Sequence, residues 1–235
     1  MFDSDPDDEP FLIVKIGSRH DALSIENFLD AGMDVARLNP GHGNPEKYQN
    51  RIREVRKAAS QVGMDVPVLM SLPGPKIRVG RFEPDREYVL SEGGKVTLYP
   101  GDETTGTPER IPVDFGALPD LVREGETLYL NDGEVGLAVT TVSGDEIECE
   151  VIRTGRVWNH VGVNFPETDL DLPVYTDNDR RIVERFLDDV DSFSVSFVES
   201  ASDLRTVRAH LDDLGTDRPL VAKIERREAR QNLEA

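Results

Sequence analysis

The stretch Asp-Val-Ala-Arg-Leu-Asn-Pro-Gly-His-Gly (34–43) decides the fold class, because an apolar strand in it runs directly into a glycine-containing turn. Apolar runs of the same kind lie before it, at 11–16, and after it, at 66–71. The two stretches between these runs, 24–31 and 46–62, carry apolar residues at helical spacing, and each is followed by a glycine. Buried strands that alternate with helices predict βαβ units on a parallel sheet.

The pattern changes from about Gly80. Helical periodicity fades, and segments of alternating polarity are separated by turns rich in glycine and aspartate. These segments predict hairpin-forming strands at 127–130, 135–142 and 146–153. The chain is therefore predicted to contain a small all-β insert, at about 79–171.

Helices and buried strands return after the insert. Helices are predicted at 177–188 and 202–214, and strands at 193–197 and 220–224. These strands bring the predicted total on the parallel sheet to five. The architecture is a βαβ protein that is interrupted by a β-module.

Net charge is the clearest signal in the composition. The 235 residues include 46 acids and 27 bases, of which 6 are Lys and 21 are Arg, and the net charge is −19. So negative a surface repels nucleic acid and anionic membranes, and neither is an expected partner. Abundant acid with so little lysine is typical of salt-adapted proteins from halophilic archaea; an ordinary acidic bacterial protein is the alternative.

Several simple features bear on where the protein works. No apolar stretch approaches the length of a membrane span, and the acidic segment 1–10 lacks the basic and apolar regions of a signal peptide. The single cysteine, Cys149, excludes an internal disulfide and is expected to be a small buried strand residue. These features predict a cytoplasmic protein with a disordered acidic N-terminus at 1–10.

Three polar clusters follow predicted strands, at 37–43, 71–78 and 222–225. The carboxyl ends of strands are where a parallel barrel places its functional residues. A pocket lined by Arg37, Arg78 and Lys223 would suit a phosphate or carboxylate ligand. Glu225 lies two residues after Lys223 and so on the same side of the strand, where it would be a natural Mg²⁺ ligand.

Each cluster also has an ordinary structural interpretation. Lys223 and Glu225 could form a solvated face or a local ion pair, Arg37 could cap a helix or pair with a glutamate, and Gly41 and Gly43 could serve only as turn formers. The order and context of the clusters taken together favour a functional site.

The same clusters carry a resemblance to the pyruvate kinase family. Its usual second-strand motif is Asn-Val-Ala-Arg-x-Asn-Phe-Ser-His-Gly, which 34–43 resembles, and its Gly-Pro-Glu-Ile-Arg-Thr-Gly segment is similar to 74–80. Further similarities, in family order, lie at 130–133, 164–166, 172–173, 196–198, 201–203 and 223–225. The resemblance implies an α/β fold, a partial TIM (β/α)8 barrel of about five strands with an inserted small all-β domain. The implied domains are a first barrel segment at 11–78, a β-barrel-like lid at 79–171 and a second, incomplete barrel segment at 172–235.

The resemblance also implies a reaction, phosphoryl transfer from phosphoenolpyruvate to ADP in glycolysis, giving pyruvate and ATP with Mg²⁺ or Mn²⁺ as cofactor. By matching position, Arg37 resembles the arginine that holds the phosphoryl group and Lys223 the catalytic lysine. Glu225 resembles a ligand of the divalent metal. The remaining matches are His42 on the nucleotide side, Arg78 as an active-site cation and Asn39 as a remnant of the potassium site.

Several positions depart from the family pattern. Gly41, Ser71 and Leu72 stand where the family has its other potassium ligands, and Lys76 replaces the usual glutamate. In potassium-independent members a lysine at this place substitutes for the ion, so the resemblance implies that K⁺ is not required. Glu199 stands where the family commonly has arginine, and Ala222 where it has serine.

The two barrel segments together amount to about half of the ~250 residues of a typical complete barrel. Three interpretations follow. The chain could be an active enzyme completed by self-association or by a second polypeptide, a truncated non-catalytic paralogue, or an anion-binding module that keeps the fold segment.

The charge leads to a prediction about salt. Raising the salt concentration from dilute to molar should raise the melting temperature, because a screening length of about 3 Å relieves the repulsion among excess carboxylates. Thermal unfolding followed by circular dichroism in NaCl and KCl series would measure this. A flat or falling curve would favour an ordinary acidic protein instead.

Overall fold

The computed structural model describes residues 11–17, 22–40, 45–83, 86–101, 105–168 and 172–233. The segment 1–10 and the turn residues Gly41, His42 and Gly43, on which predictions were made, lie outside these ranges. In chain order the elements are β1 (Ile13–Lys15), α1 (Ala22–Asp30), β2 (Val35–Leu38), α2 (Pro45–Gln61), β3 (Val68–Leu72), β4 (Arg81–Phe82), β5 (Tyr88–Leu90), β6 (Lys95–Pro100), β7 (Thr105–Gly106), β8 (Arg110–Val113), α3 (Leu118–Leu121), β9 (Thr127–Leu130), β10 (Val135–Ser143), β11 (Glu146–Arg153), β12 (Gly155–Val157), β13 (Val163–Asn164), α4 (Asp177–Phe186), β14 (Ser192–Val195), α5 (Ala201–Asp213), β15 (Leu220–Ala222) and α6 (Arg227–Gln231).

The chain divides into two compact units. The first comprises Met1–Pro75 with Pro173–Ala235, and the second comprises Lys76–Leu172. The predicted insert, 79–171, begins three residues later and ends one residue earlier than the second unit.

The first unit contains a five-stranded sheet in the order β1-β2-β3-β14-β15. Every neighbouring pair is parallel, and helices α1, α2, α4 and α5 connect or follow the strands in βαβ order. The α/β fold class and the partial barrel of five strands are therefore confirmed. Strands β1 and β15 are the edges of the sheet, and Ile13 on β1 is correspondingly 44% exposed.

The two faces of this sheet differ in chemistry. One face contributes residues such as Leu38, Met70 and Phe193 to the apolar core that the helices share. The alternate residues, among them Arg37, Ser71 and Ser194, point to the opposite face, because successive side chains of a strand alternate. Ser71 and Ser194 are each only 1% exposed. The face opposite the helices is therefore polar although it is buried, and it carries the residues of interest.

The second unit is built almost entirely from β-strands. Its main sheet has six strands in the order β13-β9-β10-β11-β6-β8, and two small sheets pair β12 with β5 and β4 with β7. The turn between β9 and β10 uses left-handed backbone at Asn131, Asp132 and Gly133, with φ of 53°, 52° and 94°. Cys149 lies in β11 at 2% exposure, and burial raises the pKa of its thiol to about 12.

A buried carboxylate joins the end of β3 to the start of α4. Asp179 is fully buried and accepts hydrogen bonds from the Thr176 N–H at 2.9 Å and the Thr176 hydroxyl at 2.6 Å. Its other oxygen accepts from the Gly74 N–H at 3.1 Å. In return, the Asp179 N–H donates to the Thr176 hydroxyl at 3.1 Å, which completes a capping box. One side chain thus caps a helix and holds the loop that leaves β3.

Removal of this carboxylate should be costly. We expect Asp179→Ala to lower the free energy of unfolding by about 3 kcal/mol, because it leaves buried donors without acceptors and removes the cap. Asp177→Ala, in the same helical turn but exposed, serves as the control and should cost about 0.5 kcal/mol or less. Denaturant unfolding of both variants would compare them, and equal losses would contradict the role given to Asp179.

Candidate active site at the carboxyl ends of the parallel strands

Arg37 lies on β2 and is held from the neighbouring strands. Its Nε donates to the Ser71 hydroxyl at 2.7 Å, and the Ser71 and Ser194 hydroxyls are 2.9 Å apart. Two buried serines on β3 and β14 therefore fix one edge of the guanidinium. A fork held in this way presents the planar donor arrangement that suits phosphate and carboxylate oxygens.

Lys223 is the first residue after β15, and it is fixed through both its backbone and its side chain. Its N–H donates to the Val195 carbonyl at 3.0 Å, and its Nζ donates to the Ser196 hydroxyl at 3.0 Å. That hydroxyl in turn donates to the Leu72 carbonyl at 2.6 Å. The ammonium group is thus tied, through one serine, to the ends of β14 and β3.

Glu225 lies beside Lys223, as the two-residue spacing predicts. The distance from Lys223 Nζ to Glu225 Oε1 is 2.8 Å, and the side chains are 23% and 36% exposed. The other carboxylate oxygen accepts from the Phe197 N–H at 3.1 Å. The local ion pair that was the ordinary interpretation of this spacing is therefore present, in a partly exposed place that a ligand could reach.

The residues present can be compared with the needs of a magnesium ion. Within the ranges that the structure describes, no group of three or more His, Cys, Asp or Glu side chains could hold a metal ion. Magnesium usually takes only one or two carboxylates and completes its shell with water and substrate phosphates. Glu225, with a partly exposed carboxylate, fits the role of one such ligand.

Lys76 and Arg78 belong to the second unit. Lys76 Nζ is 3.4 Å from Asp132 Oδ1, and the lysine stem lies so close to Gly162 that a Cβ added there would be 2.5 Å from Lys76 Cε. Arg78 donates from Nη1 to the His160 carbonyl at 2.9 Å. Burial lowers the pKa of Arg78, and the charge of Asp114 and then that of Asp132 oppose the shift.

The structure brings some of the predicted site residues together and leaves others apart. Arg37, Lys223 and Glu225 lie in the first unit at one end of its sheet, and Asn39 is the first residue after β2. Lys76 and Arg78 have their neighbours in the second unit. His42 lies outside the described residues, so its predicted role remains a prediction.

Sequence reasoning missed the supporting residues. Ser194, Ser196 and Phe197 take part in the contacts above that hold the two site cations and the carboxylate, but these positions carried no predicted role. One signal was available: serines recur at every second position, 192, 194 and 196, in an otherwise apolar segment. Such alternation on a predicted buried strand indicates a polar inner face.

The fold and this cluster define a parallel β/α barrel protein that gathers cations and a carboxylate at the carboxyl ends of its strands. A family model, that of the pyruvate kinase barrel domain, matches residues 11–235. Since the match covers nearly the whole sequence, the chain belongs to the pyruvate kinase family.

Individual relatives agree with this. The chain is 38% identical over 216 residues to pyruvate kinase of Thermococcus litoralis, covering 90% of this chain and 44% of that protein. It is 36% identical over 214 residues to pyruvate kinase of Corynebacterium glutamicum, covering 91% and 45%. The crystal structure of Cryptosporidium parvum pyruvate kinase superimposes with a TM-score of 0.86 at 28% identity, covering 95% of this chain and 48% of that one. The chain thus spans about half the length of the curated relatives it matches.

None of the helices in the described ranges is long and apolar enough to cross a membrane.

Proposed function

We propose that this chain carries the phosphoenolpyruvate-handling portion of a pyruvate kinase and contributes to phosphoryl transfer from phosphoenolpyruvate to ADP. The observation that carries the proposal is the Lys223–Glu225 pair, fixed by Ser196 and Phe197 at the end of β15. Arg37, fixed on β2, supplies a second cation at the same end of the sheet. The family membership makes this chemistry the expected one.

The proposed roles follow from charge and position. In the reaction the bond from phosphorus to the enol oxygen breaks, a bond to a terminal oxygen of ADP forms, and the enolate left behind takes a proton to become pyruvate. Arg37 would hold the phosphoryl oxygens by its planar fork, and Lys223 would neutralise the charge that appears on the phosphoryl group and the enolate. Fixing both cations before the substrate arrives reduces the reorganisation that the reaction requires.

Glu225 would be one ligand of a divalent cation, Mg²⁺ or Mn²⁺, which when bound supplies further charge neutralisation at the phosphoryl oxygens. His42 and Arg78 would contact the nucleotide or substrate, as the resemblance implies. A complete barrel would need further strands beyond the five of this sheet. The acidic composition fits a cytoplasm of high salt concentration.

A second candidate function is anion binding without catalysis. This candidate is favoured because Glu225 is the one carboxylate paired with Lys223 in the described ranges of the chain. A Mg²⁺ ion held by one protein ligand would depend on water and substrate for the rest of its coordination shell. Arg37 and Lys223 would still attract phosphoenolpyruvate in that case.

Replacement of Lys223 separates the two candidates. We expect Lys223→Met to lower turnover of phosphoenolpyruvate to pyruvate about 10²–10³-fold, because the developing negative charge loses its cation. Lys57→Met, an exposed lysine on α2, is the matched control and should leave turnover unchanged. A coupled pyruvate assay in molar salt gives turnover, and calorimetry gives phosphoenolpyruvate affinity. Binding with no turnover in the parent chain would support anion binding, and unchanged turnover in Lys223→Met would contradict the proposed enzyme.

The ion requirement is tested separately. We expect turnover to stay about the same when NaCl or a bulky monovalent salt replaces KCl at equal ionic strength, because Lys76 supplies the positive charge. Lys76→Glu should make turnover K⁺-dependent, since a carboxylate beside Asp132 would attract a cation. Lys95→Glu, an exposed site in the same unit with the same charge change, should not. Steep K⁺ activation of the parent chain would refute the role of Lys76.

A further inference from the structure

Phe197, which follows β14, has an unusual backbone conformation. Its φ is +58°, a left-handed value that is a true outlier for a bulky side chain. Strained residues of this kind persist only where the surrounding structure holds them, and they cluster at functional sites. Here the conformation points the Phe197 N–H at Glu225 Oε2, at 3.1 Å.

Two contacts hold the Phe197 ring. Its Cδ2 lies against Gly74, where an added Cβ would approach it to 3.1 Å, tighter than an ordinary contact. Arg226 lies over the ring with its Cζ 5.4 Å from the centroid, within the range of a cation–π interaction. The ring is therefore fixed from a neighbouring loop and from the residue that directly follows Glu225.

Arg226 is itself held by Glu199. The Arg226 Nη1 forms an ion pair with the Glu199 carboxylate, and the side chains are 21% and 37% exposed. The Glu199 carbonyl also accepts from Asn232 Nδ2 at 2.9 Å. Arg226 and Asn232 flank α6, so Glu199 contacts both ends of that short helix. Its own N–H donates to Asp203 Oδ2 at 2.9 Å, which ties it to the start of α5.

We infer that Glu199 and Arg226 are a positioning pair for Glu225, acting through the left-handed Phe197. The pair holds the ring, the ring holds the backbone conformation, and the backbone N–H fixes one carboxylate oxygen of Glu225. The inference rests on the proposed function in so far as Glu225 is taken as a metal ligand; the positioning itself does not depend on it.

The pair also accounts for a departure from the family sequence. Glu199 stands where the family commonly has arginine, and without Arg226 it would add an unpaired negative charge near the site. Arg226 neutralises that charge through its ion pair with Glu199, and its guanidinium is a cation near the position where the family commonly has arginine. The two positions therefore act as one unit, and a change at either should have the same effect on Phe197.

The first test measures whether Phe197 is held. We expect Arg226→Gln and Glu199→Gln each to speed hydrogen exchange of the Phe197 amide about tenfold. A change of this size is within the range of interaction energies measured between residues in contact. Arg226→Lys, which keeps the charge, should recover a fraction of the protection. The control is Arg51→Gln, which removes an ion pair with Glu54 whose side chains are similarly exposed, at 17% and 47%. Exchange would be followed by NMR on the full chain, with melting temperatures recorded for all variants.

The second test measures what the positioning does. Mn²⁺ binding would be followed by the electron paramagnetic resonance signal of the free ion. The affinity should weaken about tenfold in Arg226→Gln, as is usual when a group that orients a metal ligand is removed. Glu225→Gln should abolish it, and Arg51→Gln should leave it unchanged.

The outcomes separate the inference from the proposed function. Unchanged Phe197 exchange in Arg226→Gln overturns the inference. A second result also overturns the inference: Arg226→Gln speeds the exchange but leaves Mn²⁺ affinity unchanged, while Glu225→Gln abolishes Mn²⁺ binding. The pair would then hold Phe197 without positioning Glu225. If the parent chain binds no Mn²⁺, or if Glu225→Gln binds it unchanged, the proposed metal role fails, and the exchange result then decides only whether the pair holds Phe197.

Discussion

The packing of β14 between β3 and β15 is the contact on which the candidate site depends. Because the three strands are parallel and in register, their carboxyl ends lie side by side, and two residues after β14 reach both neighbours. Ser196 donates to β3 and accepts from Lys223, while Phe197 donates to Glu225. Without β14 and the two residues that follow it, the contact left to Lys223 and Glu225 among the described residues would be the one with each other.

A common pattern in the described ranges of the chain is that three of the predicted site cations have nearby carboxylates. Lys223 pairs with Glu225, Lys76 lies near Asp132, and the backbone N–H of Arg78 donates to Asp114. In a chain of net charge −19 such neighbours are unsurprising, but they have a consequence. Each carboxylate reduces the positive potential that the proposed anionic substrate would meet, so its binding would rely on the fixed directions of the donors as well as on net charge.

The buried serine hydroxyls supply hydrogen-bond partners that an apolar barrel interior would lack. Ser71, Ser194 and Ser196 are each nearly inaccessible to solvent, and each has a hydrogen-bond partner in the site. Buried hydroxyls are costly unless they are paired, and here the pairing groups are Arg37, Lys223 and the backbone. The hydrogen bonds that offset the cost of burying these hydroxyls are therefore the same ones that hold Arg37 and Lys223.

The sequence alone predicted the five parallel strands, helices α1, α2, α4 and α5 and three strands of the insert, and it carried the resemblance to the family. It gave no separate prediction for strands β4 to β8, β12 and β13 or for helices α3 and α6. Buried strands, helical periodicity and glycine ends are local signals, and they placed β9, β10, β11 and α5 within about one residue. The two-residue spacing also placed Lys223 beside Glu225, since side-chain alternation along an extended chain is local geometry.

Only the tertiary structure decided how those residues are held. Ser196 and Lys223 are 27 positions apart, as are Glu199 and Arg226, and Phe197 and Glu225 are 28 apart. Such contacts depend on which strands are neighbours and on how the loops after them turn, and neither appears in residue periodicity. The left-handed backbone of Phe197 has no local sequence signal either, because a phenylalanine adopts it only when distant groups, here Gly74 and Arg226, hold its ring in place.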